Sequence, residues 1–372
     1  MPALPAKIQI NKPYRIYNLF FVEINIGFHN PPGYEGGLFF MNFQQLRSVR
    51  EAVRCGFNLT EVANTLHTSQ PGVSRQIREL EEELGIELFA RAGKRLTGLT
   101  DPGRHVLPII EHILLGSSNL RQAGAEFASQ QSGLLSIAAT HSQARYALPM
   151  AVQAFRAQFP DIKLHLHQGS PEQVAEMLLS GEADVGIATE ALAQYDELIA
   201  LPCYRWTHSV IVPPGHALLD EPLTLQRLAG YTLITYDTGF TGRTRIDEAF
   251  KAQHLTPDIT LNAMDADVIK TYVELGMGVG IVASIAFEAE RDLALRAIDA
   301  GELFGINLTK LAVRRGTYLR GYVYAFVESF APMLTRSIVE QALSSAGTPL
   351  ERAESAALPE RLSLSGPEEI TI

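Results

Sequence analysis

The chain has 372 residues, with 31 Lys and Arg against 41 Asp and Glu for a net charge of −10, and 46% of its residues are hydrophobic. At about 100–200 residues per domain, that length supports two or three domains, and the apolar content excludes a largely disordered chain. Cys55 and Cys203 are too few and too far apart for a disulfide scaffold or zinc cluster, and no apolar run reaches the about 18–20 residues of a membrane span. The charge is unevenly spread. Residues 41–130 hold ten basic and ten acidic residues, 131–344 hold 16 and 24, and 345–372 hold two and five. The negative total therefore speaks to solubility, and a local basic face remains free to meet a polyanion.

Residues 1–40 scatter Pro and Gly without a period of 3.6 or 2, and no apolar run there ends in a small-residue cleavage site. They read as a translated leader ahead of a native start at Met41, with Glu35-Gly36-Gly37 compatible with a purine-rich ribosome-binding sequence. A disordered arm is the alternative.

A clean helical pattern begins at Met41, with Phe43, Leu46, Val49, Arg50 and Val53 on one face. Asn58 or Thr60 caps a second helix that turns Val62, Ala63 and Leu66 inward. A third helix follows Ser69-Gln70-Pro71-Gly72 and carries Val73, Ile77, Leu80 and Leu84 on its inner face, with Pro71 in the first turn. Two short helices joined by about four residues form a helix-turn-helix over 59–78. Ser69, Gln70, Pro71, Ser74, Arg75 and Arg78 lie toward its outer side. Gln bridges adenine, Arg forks onto guanine, and hydroxyls serve phosphate or base. Gly85 and Gly93 bracket 86–94 as the strands of a wing with a basic tip of Arg91, Lys94 and Arg95. The bland reading of this spacing is a solvated surface helix. Residues 101–127 then form one long helix, with Val106, Ile109, Ile110, Ile113, Leu114 and Leu120 as an apolar seam.

Residues 131–344 alternate strand and helix: strands at 133–139, 162–167 and 183–188, with helices at 143–159 and 171–180. A second unit follows, with strands at 209–212, 232–236, 259–262 and 279–283 and helices at 242–253 and 265–275. Strand 308–313 and helix 319–334 return to the first. This is an α/β fold of two lobes, mostly parallel, with a ligand cleft at the strand C-termini. Hydroxyls and amides cluster at those ends: Thr140-His141-Ser142-Gln143, Thr189-Glu190, Ser170-Pro171, Thr241-Gly242 and Asp265-Ala266-Asp267. Helix N-termini flanked by hydroxyls hold anions without a full positive charge, although each alone reads as an ordinary N-cap.

No constellation argues for an enzyme. Gly276-Met277-Gly278-Val279-Gly280 has helix before and strand after, the reverse of a dinucleotide fingerprint. His141, His165 and His167 lack metal-ligand spacing, Cys203 has no His/Asp partners, and Asp184 and Glu190 have no paired carboxylate.

SQPGVSRQIRELEEELGIELFARAGKRLTGLTDPG, running from Ser69 to Gly103, resembles the N-terminal signature of LysR-type transcriptional regulators. ATHSQARYALP, HQGSP, ADVGIATEAL, LPCYRW, GFTGR and DADVIKTYVELGMGVG resemble the cysteine-regulon branch of that family, over roughly 41–335. The resemblance implies a winged helix-turn-helix DNA-binding domain at 41–100 and a linker and dimerisation helix at 101–130. It also implies a two-lobed, periplasmic-binding-protein-like effector domain at 131–344. Lobe I takes about 131–205 and 302–344, lobe II about 206–301, and 345–372 is a disordered acidic tail. It implies DNA contacts from Ser69, Gln70, Pro71, Ser74, Arg75, Arg78, Arg91 and Lys94. It assigns a sulfate or N-acetylserine site to Thr140, Ser142, Gln143, Thr189 and Thr241, with Trp206 nearby. Ser142 stands where that branch has Thr, which keeps the hydroxyl and loses a methyl. The implied protein is a cytoplasmic homotetramer with no cofactor beyond its effector. It activates sulfate assimilation genes with promoter double-stranded DNA and RNA polymerase as partners. A regulator of sulfonate use with another inducer is the alternative, and a solute-binding protein a more distant one.

Overall fold

A computed structural model describes residues 41–128, 132–189, 191–240, 242–344 and Pro359. Residues 1–40, expected as a leader or arm, together with Glu190, Thr241 and the tail other than Pro359, lie outside the described residues. Two compact units divide between Gly103 and Arg104.

The first unit is built on three helices and a hairpin. α1 (Phe43–Arg54) opens with a capping box in which the Asn42 side chain accepts the Gln45 amide and Gln45 returns to the Asn42 N–H. α2 (Leu59–Thr65) is capped by Asn58, and α3 (Gln70–Leu84) by Ser69 with Pro71 in its first turn. Leu46, Val49, Val62, Ala63, Val73, Ile77 and Leu80 are buried, so the inward faces follow the helical spacing. Phe43 and Leu84 do not, because they lie in the first turn of α1 and in the last turn of α3 before the left-handed Gly85 cap, and both are exposed. The wing is β1 (Phe89–Ala92) paired antiparallel with β2 (Arg95–Leu99). Its second strand follows Gly93 instead of preceding it, and the turn is Gly93-Lys94. Gly103, at the start of α4 (Asp101–Phe127), packs so near β1 that a Cβ would meet the Leu88 carbonyl oxygen at 2.1 Å. Only glycine fits there.

The apolar residues of α4 divide between two faces. Ile110 and Leu114 are buried, whereas Ile109, Ile113, Leu120 and Phe127 are exposed. The exposed set, with Gly116 and Ala123 between, steps by four and three residues, the repeat of a coiled-coil seam.

Lobe I of the second unit begins with β3 (Gly133–Ala139), a π-helical turn at Gln143–Ala147 and α5 (Leu148–Gln158). β4 (Ile162–Gln168), α6 (Pro171–Ser180), β5 (Val185–Ala188) and β6 (Leu198–Trp206) follow. Lobe II contains β7 (His208–Val212), α7 (Leu225–Leu228), β8 (Thr232–Tyr236), α8 (Arg243–Ala252), β9 (Asp258–Ala263), α9 (Ala266–Glu274), β10 (Val279–Ala283), β11 (Arg296–Asp299) and α10 (Gly301–Phe304). The chain returns to lobe I with β12 (Asn307–Arg314), α11 (Gly321–Phe330) and α12 (Arg336–Ser344). The sheet orders are β4-β3-β5-β12-β6 and β11-β7-β10-β8-β9. Each is mixed: β3 runs parallel to β4 and β5, while β12 is antiparallel to β5 and β6. Composition and spacing did not reveal β6, whose nine residues carry Pro202 and Arg205 and lack a simple alternation. The crossovers fall at Thr207 and at Gly305-Ile306. Gly276 sits after α9 with a left-handed φ of 75°, so the glycine-rich run ends a helix and opens β10.

Candidate functional site

In the first unit, Ser69, Gln70, Pro71, Arg75 and Arg78 are exposed on and around the opening of α3, and Ser74 is half-buried. Ser69 Oγ accepts the Gly72 amide at 3.2 Å, so its first duty is the helix cap. Arg75 Nε lies 2.6 Å from Glu79, one helical turn on, and this contact holds the Glu79 carboxyl below its ordinary value. Such a surface pair is weak and screened by salt, so Arg75 remains available to a stronger anion. Arg78 folds onto its own helix, donating to the Ser74 hydroxyl at 3.2 Å.

Arg91 departs from the expected basic tip. Its guanidinium donates to Glu81 at 2.6 Å, and Glu81 also accepts the Leu88 and Phe89 amides at 2.9 and 3.1 Å. Glu81 is buried, so this group ties the root of the wing to α3. Lys94 and Arg95 are exposed at the turn. The groove between α3 and the wing is lined by Gln70, Ser74, Arg78 and Lys94, but also by Glu82 and Glu87. Cationic and carboxylate side chains therefore share its lining.

In the second unit, the helical run starting at His141 follows β3 directly, with the Thr140 carbonyl accepting the Ala144 amide at 2.9 Å. The first amides of such a run have no intrahelical acceptor and point outward. Thr140, Ser142 and Gln143 are buried, and Thr189 is half-buried at the end of β5. The Ser142 hydroxyl is buried with no hydrogen-bond partner among the described residues. The Tyr236 hydroxyl approaches it without hydrogen-bonding geometry and accepts the Ala283 amide at 3.1 Å. Burial pushes the Tyr236 phenol up to about 12, so it stays neutral.

Gln143 is held at both ends. Its Nε2 donates to Thr309 Oγ1 at 3.2 Å, and its Oε1 accepts the Tyr204 hydroxyl. Trp206 Nε1 donates to the same Thr309 oxygen at 3.1 Å, and its ring is fully buried. Trp206 is thus a supporting wall, and Gln143 has its backbone N–H and one amide hydrogen left to offer. Thr309 and Tyr204 were not among the expected site residues. The signal for Thr309 was present as Asn307 and Thr309 at alternate, inward positions of an otherwise apolar strand. Gly242, with φ of 72°, approaches the crossover so closely that a Cβ would sit 2.7 Å from Asn307 Oδ1 and from the His208 ring. Ser170 and Asp265 satisfy their own helices, accepting the Gln173 and Val268 amides at 3.2 and 2.9 Å. These two are ordinary N-caps.

The lobes also meet through charge. Tyr146 and Arg145 of lobe I donate to Asp267 of lobe II at 2.6 and 3.1 Å, and Lys270 lies 3.2 Å from the same carboxylate. Burial works against ionisation of Asp267, but the Tyr146 hydrogen bond and the Lys270 and Arg145 charges hold it below its ordinary value. His141 lies 3.9 Å from Asp265. His141, Asp265 and Asp267 approach within 4.8 Å of one another, yet Asp267 is already supplied with three donors, so the group is a latch between lobes. Arg243 is spent internally on Asp247, Asn262 and the Tyr236 carbonyl.

Comparison with known proteins places both units. Residues 43–104 match the family model described as "Bacterial regulatory helix-turn-helix protein, lysR family", and 128–335 match "LysR substrate binding domain". The chain is 56% identical over 304 residues to the HTH-type transcriptional regulator CysB of Burkholderia cenocepacia, covering 82% of this chain and 97% of that one. It is 55% identical over 298 residues to the regulator SsuR of the same organism, covering 80% and 97%. The crystal structure of the cofactor-binding domain of the Cbl transcriptional regulator aligns with a TM-score of 0.56 at 45% identity, covering 58% of this chain and 96% of that one. These relatives are regulators and not enzymes, and no described helix is long and apolar enough to cross a membrane. The chain belongs to the LysR family of DNA-binding transcriptional regulators.

Proposed function

We propose that this regulator activates genes of sulfate assimilation and cysteine biosynthesis, and that its cleft senses a small anion of the sulfate or N-acetylserine and O-acetylserine type. The observation that carries the reading is the Ser142 hydroxyl, buried and without a described partner, beside the unsatisfied amides that open the helical run at His141. A buried polar group in that state costs free energy unless a ligand completes it. Neutral donors at helix openings suit a fully ionised oxyanion. Thr140, Ser142, Gln143 and Thr189 would hold the anion, joined by Thr241, with Trp206 and Thr309 fixing the wall. The protein acts in the cytoplasm as a homotetramer built from linker-helix dimers. Each pair of α3 helices occupies successive major grooves of promoter DNA, and RNA polymerase is recruited there.

A second reading, regulation of sulfonate use through a different inducer, is favoured by one observation. Identity to CysB and to SsuR differs by a single percentage point, so overall likeness does not separate them. Calorimetric titration of the full chain with sulfate, thiosulfate, N-acetylserine, O-acetylserine and adenosine phosphosulfate separates the two. Heat from any of the first four supports the cysteine reading. Heat from adenosine phosphosulfate alone supports the second.

A further inference from the structure

We infer that lobe II supplies a second half of the effector site, with Ser284 as its donor, and that one ligand joins Ser284 to Ser142 of lobe I. This rests on the reading of the cleft as an oxyanion sensor and extends it across the lobes. Ser284 follows β10 and opens a 3-10 turn, Ser284–Ala286. Strand C-termini of open α/β sheets are where such folds bind ligands. The residue is half-buried, but its hydroxyl oxygen is enclosed and has no hydrogen-bond partner among the described residues. A serine at a helix opening ordinarily caps that helix. Neither serine does so here. Ser142 sits at the cap of the π-helical turn without a side-chain bond, and the Ser284 hydroxyl bonds no amide of its own turn.

The two serines are brought together through Tyr236. Its phenol approaches Ser142 and accepts the amide of Ala283, the residue before Ser284, at 3.1 Å. The 3-10 turn also packs against the π-helical turn at Gln143–Ala147. Its backbone is fixed at both ends. The Ser284 amide donates to the Thr207 carbonyl at 2.8 Å, at one of the crossovers, and Lys270 Nζ donates to the Ala286 carbonyl at 3.0 Å. Lys270 also lies 3.2 Å from Asp267, so the turn and the latch share one cation. A hydroxyl carried on a backbone fixed in this way is preorganised for a ligand. Two enclosed hydroxyls cost free energy until acceptors complete them, and an ionised acceptor makes the stronger bond. The ligand that meets both needs acceptor oxygens on more than one side, as a tetrahedral oxyanion has.

Calorimetry of the full chain with sulfate, thiosulfate, N-acetylserine and O-acetylserine, beside thermal melting without ligand, tests this in Ser284→Ala and Ser142→Ala. Ser284→Ala is expected to weaken binding of whichever probe the native chain takes by about tenfold or more, with the ligand-free melting temperature unchanged or raised. Ser142→Ala is expected to do the same. Native affinity in Ser284→Ala, beside weakened binding in Ser142→Ala, would overturn this inference and leave the oxyanion reading standing. A lower ligand-free melting temperature in Ser284→Ala would place its hydroxyl in the protein's own bonding, and would also overturn the inference. No heat from the native chain with any of the four probes would overturn both.

Discussion

The Tyr146 hydroxyl of lobe I donates to the Asp267 carboxylate of lobe II at 2.6 Å, and Arg145 and Lys270 approach the same carboxylate. One side chain thus gathers donors from both sides of the cleft. A latch of this kind biases the lobes toward closure, and a ligand that prefers the closed form gains from it.

Asp267→Asn removes the charge and keeps the shape. Effector affinity is expected to fall about tenfold, equal to ~1.4 kcal/mol, with operator affinity in the absence of effector little changed. Calorimetry and a DNA-binding titration check the two halves. The pH dependence follows from the sign of the shift. A carboxyl held below its ordinary 3.8 stabilises fully above that value and loses its contribution as pH falls through its lower folded value. The gap between the native chain and D267N should therefore be flat over roughly pH 6–8 and should close only in acid.

Ser142→Ala removes a buried hydroxyl that has no described partner. Without ligand the variant should be as stable as the native chain or more so, by up to about 1 kcal/mol, because an unsatisfied polar group is gone. Effector affinity should drop at the same time. Thermal melting with and without sulfate reads both effects, and equal loss in the two conditions would contradict the role given to Ser142. Thr140→Val should likewise abolish the effector response and leave operator affinity intact.

The basic residues of the first unit are expected to divide between contacts to DNA and internal struts. Arg75→Ala should cost about 1–3 kcal/mol of operator binding and relax base preference. Lys94→Ala should weaken binding evenly across sequences and lower the salt slope by about one. Arg91→Ala should act through stability, since it strands the buried Glu81 carboxylate, at about 1–3 kcal/mol after allowing for the partial exposure of Arg91. Melting of the variant, read beside its operator affinity, distinguishes a strut from a reader.

Glu126, near the end of α4, accepts the Tyr318 hydroxyl at 2.6 Å and the Gly321 amide at 2.9 Å, and these bonds lower its pKa despite some burial. Asn119 on the same helix accepts the Tyr318 amide at 2.9 Å and donates to the Gly316 carbonyl at 2.7 Å. This clasp fastens the linker helix to the effector lobes. Glu126→Gln with Tyr318→Phe should keep effector binding while the ratio of operator affinities with and without effector moves toward one. A double titration of effector and DNA measures that ratio.

Local pattern alone determined much of this protein. The three helices of the first unit, Asn58 as a cap, Pro71 in a first turn and most strand positions follow from spacing, capping residues and turn chemistry, which act over a few residues. The resemblance carried the family assignment for the same reason, because a recognition helix must keep its polar face and its inner face in register. Tertiary structure decided the rest. Arg91 reads as a basic tip until Glu81, ten residues away, is folded against it. The apolar residues of α4 look like one seam until Ile110 and Leu114 are buried and Ile109 and Ile113 are left exposed. β6 emerges only when β12 returns from the other lobe to pair with it. Gln143 and Trp206 meet at the Thr309 hydroxyl from as much as 166 positions away, and Tyr204 joins them through the Gln143 amide oxygen. Periodicity sets which face a side chain occupies within its own element. Which distant group it meets there depends on chain crossovers, and those are set by packing over the whole domain.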